Sequence, residues 1–153
     1  IGFPMSPFEL LGLVGPGVAL HVAETLNANL GPRYRISPTM QAMVKEGVKT
    51  FYIKNDDGSF GPNPAALALV HKGSTPSTAD EVRIRALRAL AEEARMMLDE
   101  GVVSSPAEID LCMLMGAGWP MHLGGILPYL DREGISEAAC GQRFHPKGIA
   151  SLP

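Results

Sequence analysis

One short element occurs twice in this chain of 153 residues and constrains its fold more than any other feature. Residues 2–5 read GFPM, and residues 118–121, which lie 116 positions further on, read GWPM. Glycine tolerates turns that other residues avoid, and proline holds the preceding residue extended, so each element predicts a sharp elbow. The apolar positions Leu10, Leu11 and Val14 align in the same way with Ile126, Leu127 and Leu130. We therefore predict a duplicated helix–elbow–helix unit.

The stretch before the second elbow predicts a buried helix. Ser105 and Pro106 are typical of a helix start, and Glu108 would complete a capping box with the serine. Residues 111–115, LCMLM, are apolar on all sides, which predicts burial and makes Cys112 a core residue. The matching helix of the first copy would fall before residue 1. We expect the chain to begin inside its first repeat, as a fragment of a longer protein.

The remaining helix signals predict an all-α fold with at most a vestigial strand. Ser6 and Thr78 each open a capping box, and Ser37 precedes a proline at another helix start. Helices are predicted over residues 7–14, 18–29, 38–46 and 78–101, around 126–134 and from 136, with residues 49–54 extended before a turn. We expect a first, N-terminally truncated repeat over residues 1–60, a connecting loop over 61–77 and a second repeat over 78–153.

Charge and composition exclude several classes of function. The net charge is −3, with an isoelectric point near 5.8, so no basic face for nucleic acid is predicted. Cys112 and Cys140 have no metal-ligand spacing, and we predict no metal site. No apolar run is long enough for a membrane span or a signal peptide, so a cytoplasmic protein is the default expectation.

No self-contained catalytic motif is present in the sequence, and we predict no catalytic residue. Dinucleotide, phosphate-loop and zinc-protease patterns are all missing. We expect His21 on a helix surface and His71 in a solvated loop. His122 corresponds to Ser6, so it is predicted to cap a helix, with catalysis as the open alternative. His145 is a candidate to close a pocket.

The two elbow regions resemble a known family. Residues 2–15, GFPMSPFELLGLVG, resemble the signature of the C-terminal domain of 3-hydroxyacyl-CoA dehydrogenases. Residues 108–134 resemble the second copy of that domain, as found in the α subunit of the multifunctional fatty-acid oxidation complex. The resemblance implies an all-α domain like the C-terminal domain of 6-phosphogluconate dehydrogenase, built from two related helical repeats.

The resemblance also implies an activity and a cofactor. The activity is the NAD-dependent oxidation of (S)-3-hydroxyacyl-CoA to 3-ketoacyl-CoA in fatty-acid β-oxidation. In the family a separate Rossmann domain binds most of the NAD and carries the catalytic base, so this fragment alone would be inactive. The implied partners are an acyl-CoA substrate, a thiolase subunit and further copies of the chain. The alternative is a non-catalytic dimerisation or assembly module of the multifunctional complex.

Four residues are implied as site residues. The family's PMGPFEL loop, which borders the acyl chain, is matched here by residues 4–10, PMSPFEL. Met5, Pro7 and Phe8 are therefore implied as substrate-binding residues, with packing of the elbow as the open alternative. Lys49 matches a lysine that reaches the cofactor in a KTGxGFY stretch, although the glycines of that stretch are missing here.

Overall fold

A computed structural model describes residues 2–71 and 73–149 of the chain. The chain divides into two compact units, each described by itself below. Unit 1 comprises Ile1–Pro4 and Thr75–Pro153, and unit 2 comprises Met5–Ser74. The described residues form eight α-helices and one two-stranded sheet, which confirms the all-α class. The repeat boundaries drawn from the sequence stay a prediction.

Unit 2 consists of four helices and a β-hairpin. In chain order these are α1 Pro7–Val14, α2 Pro16–Leu30, α3 Pro38–Lys45, β1 Tyr52–Lys54, β2 Phe60–Pro62 and α4 Pro64–Ala68. The capping box of Ser6 and Glu9 forms as predicted. Helix α2 begins two residues before the predicted start, because Pro16 occupies its first turn directly after Gly15, which has a φ of 93°.

The hairpin of unit 2 differs in part from the prediction. The extended stretch is shorter than residues 49–54, and β1 pairs antiparallel with β2, so that Tyr52 lies opposite Pro62 and Lys54 opposite Phe60. The turn closes with a hydrogen bond from the Gly58 N–H to the Asn55 carbonyl at 3.0 Å. Strand β2 was not predicted, because its glycine and proline are both typical of loops.

Unit 1 is built around its longest helix. Its elements are α5 Ala79–Asp99, α6 Pro106–Gly116, a 3-10 turn Met121–Leu123, α7 Ile126–Arg132 and α8 Ile135–Cys140. The capping box of Thr78 and Glu81 starts α5, as predicted. The core lies where α5, α6, α7 and α8 meet, with the largest buried side chains being Leu87, Trp119, Ile126, Leu127 and Leu130.

Two predictions about α6 were wrong. The Glu108 carboxylate accepts hydrogen bonds from Ser104, not Ser105, with a distance of 2.9 Å to the Ser104 backbone N–H. These Ser104 contacts, the hydroxyl first and then the backbone N–H, lower the pKa of Glu108. The helix is also not buried on all sides, since Leu111 and Met115 are 62% and 72% exposed. Cys112 is exposed for the same reason, because only one face of α6 packs against the rest of unit 1.

The prediction for His122 was also wrong. The residue lies inside the 3-10 turn, Pro120 holds the N-cap position, and no side-chain capping bond forms. The alignment with Ser6 failed because a 3-10 turn comes between the second elbow and α7, whereas Ser6 directly precedes α1. In the described part of the chain, no helix has the length and apolar character needed to cross a membrane.

Candidate functional site

Phe8 lies between two neighbouring cavities of unit 2. It is the second residue of α1, directly after the first-turn proline, and half of its surface is exposed. Its ring contacts the ring of Phe51, just before β1, with centroids 4.8 Å apart and an interplanar angle of 57°. The capping box thus fixes the start of α1, and the start of α1 places Phe8 against the hairpin.

The first cavity has a volume of ≈ 520 Å³ and is mainly apolar. It lies between α1, α3, the hairpin and α4. Its apolar lining consists of Phe8, Leu11, Met40, Phe51, Pro62, Leu67 and Val70. Such a cavity can hold a hydrocarbon chain or a ring and can exclude water from it.

The second cavity lies on the other side of Phe8 and has a volume of ≈ 670 Å³. It is lined by Ser6, Phe8, Glu9, Gly12, Leu13, Thr50, Tyr52 and Phe60. Gly12 allows a close approach here, because a Cβ at that position would lie 3.3 Å from the Thr50 Cγ2. Leu13 and Phe60 are each 75% exposed, so this cavity opens widely to solvent.

Glu9 is the carboxylate in the lining of the second cavity, and it is engaged in capping. It accepts a hydrogen bond from the Ser6 backbone N–H at 2.6 Å. The pKa of Glu9 is lowered, first by that backbone hydrogen bond and then by the Ser6 hydroxyl. A carboxylate held ionised in this way is a poor general acid. The described lining of the two cavities therefore offers mainly apolar binding surface, with its carboxylate already engaged and Tyr52 as a further polar side chain in both.

The structure brings one of the four predicted site residues to both cavities. Phe8 lines each of them. Met5 and Pro7 are exposed and are not among the described residues lining either cavity. Lys49 is exposed as well and adjoins Thr50, which lines the second cavity. The assignment of all four to substrate or cofactor stays a prediction.

A buried polar cluster in unit 1 was missed from the sequence. The Oδ2 of Asp110 lies 2.9 Å from the Nε2 of His145, and Asp131 accepts the backbone N–H groups of Phe144 and His145. Because the carboxylates bind backbone N–H groups of their own unit, the cluster is a structural anchor. The signal was a single aspartate within each of the otherwise apolar stretches IDLC, residues 109–112, and PYLD, residues 128–131.

The histidines do not converge on one centre. His21, His71 and His122 are exposed, as predicted for the first two, and His145 is half-buried against Asp110. Among the described residues, no three side chains of His, Cys, Asp or Glu are grouped to hold a metal ion.

Comparison with known proteins finds a family that matches the first third of the chain. Residues 1–51, which contain the first elbow and most of the lining of both cavities, match the family of the 3-hydroxyacyl-CoA dehydrogenase, C-terminal domain. The predicted family resemblance is confirmed. The matched residues contain α1, α2 and α3 and end just before β1.

Similar full-length proteins extend the match to the rest of the chain. The fatty acid oxidation complex subunit alpha of Shewanella amazonensis is 27% identical over 97% of this chain and 24% of its own length. The peroxisomal fatty acid beta-oxidation multifunctional protein of Arabidopsis thaliana is 29% identical over 87% of the chain and 21% of its own length. The chain thus spans about a quarter of the length of the curated relatives that it matches.

Proposed function

We propose that this chain is the C-terminal part of an NAD-dependent 3-hydroxyacyl-CoA dehydrogenase of fatty-acid β-oxidation. The reaction oxidises (S)-3-hydroxyacyl-CoA to 3-ketoacyl-CoA, and unit 2 would complete the substrate cleft. The observation that carries the proposal is the pair of cavities on either side of Phe8, at the start of a domain of the matched family.

The role of the chain's own residues in this proposal is binding and exclusion of water. Phe8 and the aromatic and aliphatic side chains around it would contact the acyl portion of the substrate. Met5, which precedes α1, and Pro7, its first residue, are both exposed and are proposed to contact parts of the substrate outside the cavities. We expect the isolated chain to be inactive, because the catalytic base is proposed to lie on the NAD-binding domain and not among the described residues that line the cavities.

The described residues do not form a dinucleotide site. Such sites need a parallel sheet with a glycine-rich turn leading into a helix, whereas the sheet described here is one antiparallel pair of three-residue strands. We propose that NAD binds mainly to another domain of the parent protein. Lys49, exposed beside the hairpin, is the residue proposed to reach the cofactor from this chain.

A second function, assembly, has its own observation in unit 1. Leu111 and Met115 of α6 and Met121 of the second elbow are large apolar side chains that are 62%, 72% and 74% exposed. Exposed apolar side chains of this size are typical of interaction surfaces where they form one contiguous patch. We propose a thiolase subunit or a further copy of the chain as the partner, and the cytoplasm as the location.

The test compares two variants in a protein extended upstream through the dehydrogenase domain. Phe8→Ala is expected to raise the KM for a long-chain 3-hydroxyacyl-CoA about tenfold, because it removes a large apolar side chain that lines both cavities. NADH formation is the readout, and His21→Ala, an exposed residue of α2, is the control.

Unchanged kinetics for Phe8→Ala, with a lowered melting temperature, would contradict the substrate-cleft role. Met115→Ser addresses assembly separately, because it changes the exposed face of α6. The assembly function would be supported if that variant no longer bound the proposed partner but kept full dehydrogenase activity.

A further inference from the structure

The segment over residues 143–145, here named the strap, is tied to the helices of unit 1 by polar contacts. It follows α8, lies outside the helices, and contains Arg143, Phe144 and His145. Phe144 is 8% exposed and belongs to the core cluster, while the side chain of His145 is 13% exposed. The strap is therefore packed against the helices of unit 1, although it has no regular secondary structure of its own.

The carboxylate of Asp131, on α7, is the main attachment point of the strap. Its side chain is fully buried. Oδ1 accepts the Phe144 backbone N–H at 3.0 Å, and Oδ2 accepts the His145 backbone N–H at 2.9 Å. The Ser136 hydroxyl also donates to Oδ1, and the Arg143 guanidinium lies 3.9 Å from Oδ2. A buried carboxylate is stable only when its acceptor sites are filled, and the strap fills two of them.

The side chain of His145 connects the strap to α6 through Asp110. Its Nε2 lies 2.9 Å from the Asp110 Oδ2, while Oδ1 of the same carboxylate accepts the Leu127 backbone N–H at 2.8 Å. Gly125, the N-cap residue of α7, has no side chain, so Asp110 supplies the missing cap from α6. One of the two carboxylates that hold the strap thus caps α7, and the other belongs to α7 itself.

Helix α5 provides the third attachment through Arg95. Its guanidinium lies over the Phe144 ring, 4.7 Å from the centroid, and Nη2 donates to the Arg143 carbonyl at 3.3 Å. The buried residues Leu87, Trp119 and Leu130 belong to α5, the second elbow and α7, so most of the core does not include the strap.

We propose that residues 143–145 form a releasable strap, latched through His145 to Asp110 and Asp131, that opens while α5, α6 and α7 remain folded. Apart from the Phe144 ring, its attachments are hydrogen bonds and ion pairs to three helices. A segment held by a few polar contacts opens locally with a smaller free energy than the whole unit needs to unfold. Opening exposes the face of Arg95 that Phe144 covers, and it leaves Asp110 and Asp131 with their hydrogen bonds to Leu127 and Ser136.

Limited trypsin digestion of the full chain tests the strap, because Arg143 supplies a cleavage site at its first residue. His145→Leu removes the donor to Asp110, and the rate of cleavage after Arg143 is expected to rise about tenfold, as for loss of a hydrogen bond to a charged group. His145→Gln, which can still donate to the carboxylate, should restore most of the protection. His122→Leu, at an exposed histidine of the same unit, is the matched control.

The fluorescence of Trp119, the single tryptophan, reports whether the core stays folded during release. The strap is supported if cleavage accelerates in His145→Leu while the Trp119 unfolding transition stays within a few degrees of the wild type. The proposal is overturned if the rate of cleavage after Arg143 is unchanged. It is also overturned if His145→Leu lowers the temperature of the Trp119 unfolding transition by more than a few degrees while cleavage accelerates. If His145→Leu does not fold, the wild type decides: cleavage after Arg143 that is insensitive to low urea supports local opening, and cleavage that rises in step with global unfolding contradicts it.

Discussion

The rings of Phe3 and Trp119 meet edge to face, with centroids 5.5 Å apart. These residues hold equivalent positions in the two elbows, and the flanking contacts are reciprocal. A Cβ built on Gly2 would lie 2.9 Å from the Cγ of Pro120, and one built on Gly118 would lie 3.0 Å from the Cγ of Pro4. When residue i of one copy contacts residue j of the other and the converse also holds, the contact has two-fold character. The two elbows, which are similar in sequence, thus also make equivalent contacts with each other.

Gly118→Ala should destabilise unit 1 by about 2–3 kcal/mol, since it combines backbone strain at a φ of 70° with the Pro4 contact. Gly101→Ala is the matched control, because Gly101 has the same φ of 70° and nothing within 4 Å of its Cβ position. It should lose only about 1 kcal/mol. Urea unfolding followed by Trp119 fluorescence measures both, and equal losses would show that the elbow contact contributes nothing.

Gly125→Ala should destabilise unit 1 through a side-chain clash, not through backbone strain. Its φ is −67°, which any residue adopts, but the new Cβ would lie 2.4 Å from the Asp110 Cγ. We expect a loss of about 1–3 kcal/mol. Gly116→Ala, whose Cβ position has nothing within 4 Å, should be neutral or slightly stabilising.

Combining Gly125→Ala with Asp110→Ala tests the origin of that loss. The second substitution removes the Cγ and Oδ1 atoms of Asp110, which clash most closely, together with the cap of α7, and it leaves the Cβ of residue 110 at 2.8 Å from the new Cβ. The two losses should therefore be smaller in combination than their sum. If thermal unfolding shows that the two losses in stability simply add, the loss caused by Gly125→Ala does not come from the contact with Asp110.

The fold was predictable where local chemistry decides it. Ser6 and Thr78 cap helices by hydrogen bonds within four residues, so their sequence motifs are enough to locate α1 and α5. Burial of α6 depends on what packs against each of its faces, and its apolar sequence predicted contacts on all sides. The 62% exposure of Leu111 shows that composition alone does not report the number of neighbours.

The candidate site was predictable only in part. Phe8 follows from the elbow motif, whereas other parts of the lining come from Leu67 and Val70, about sixty residues further along the chain, which carry no motif. The polar cluster was harder, since Asp110 and His145 are 35 positions apart and meet only through the packing of unit 1. Long-range pairs of this kind leave no periodic signal in a single sequence.

Substitutions that fill one cavity at a time separate the roles of the two cavities in the extended protein. Leu67→Trp narrows the first cavity, and Leu13→Trp covers the second. If the acyl chain occupies the first cavity, Leu67→Trp should reduce kcat/KM for long-chain substrates about tenfold or more and spare short-chain ones. Leu13→Trp should then have little effect, and the reverse pattern would assign the acyl chain to the second cavity.

The capping box of α5 gives a stability that depends on pH. The pKa of Glu81 is lowered, first by the backbone N–H of Thr78 and then by its hydroxyl, with Arg85 adding attraction. A carboxyl whose pKa is depressed on folding stabilises the folded state above its unfolded pKa, and this contribution is lost as the pH falls through the folded pKa. Glu81→Gln should therefore lower the melting temperature at pH 7 and make little difference near pH 3.

Thr78→Ala shows whether this pH dependence comes from the capping box. It should cost about 1 kcal/mol at neutral pH, as for loss of a helix N-cap, and it removes the hydroxyl that donates to Glu81. In this background the difference between Glu81 and Gln at pH 7 should shrink, since only the Thr78 backbone N–H remains to hold the carboxylate ionised. Thermal unfolding of the four proteins at pH 7 and pH 3 measures the effect. A difference that persists unchanged at pH 3 would mean that Glu81 stabilises α5 through packing and not through its charge.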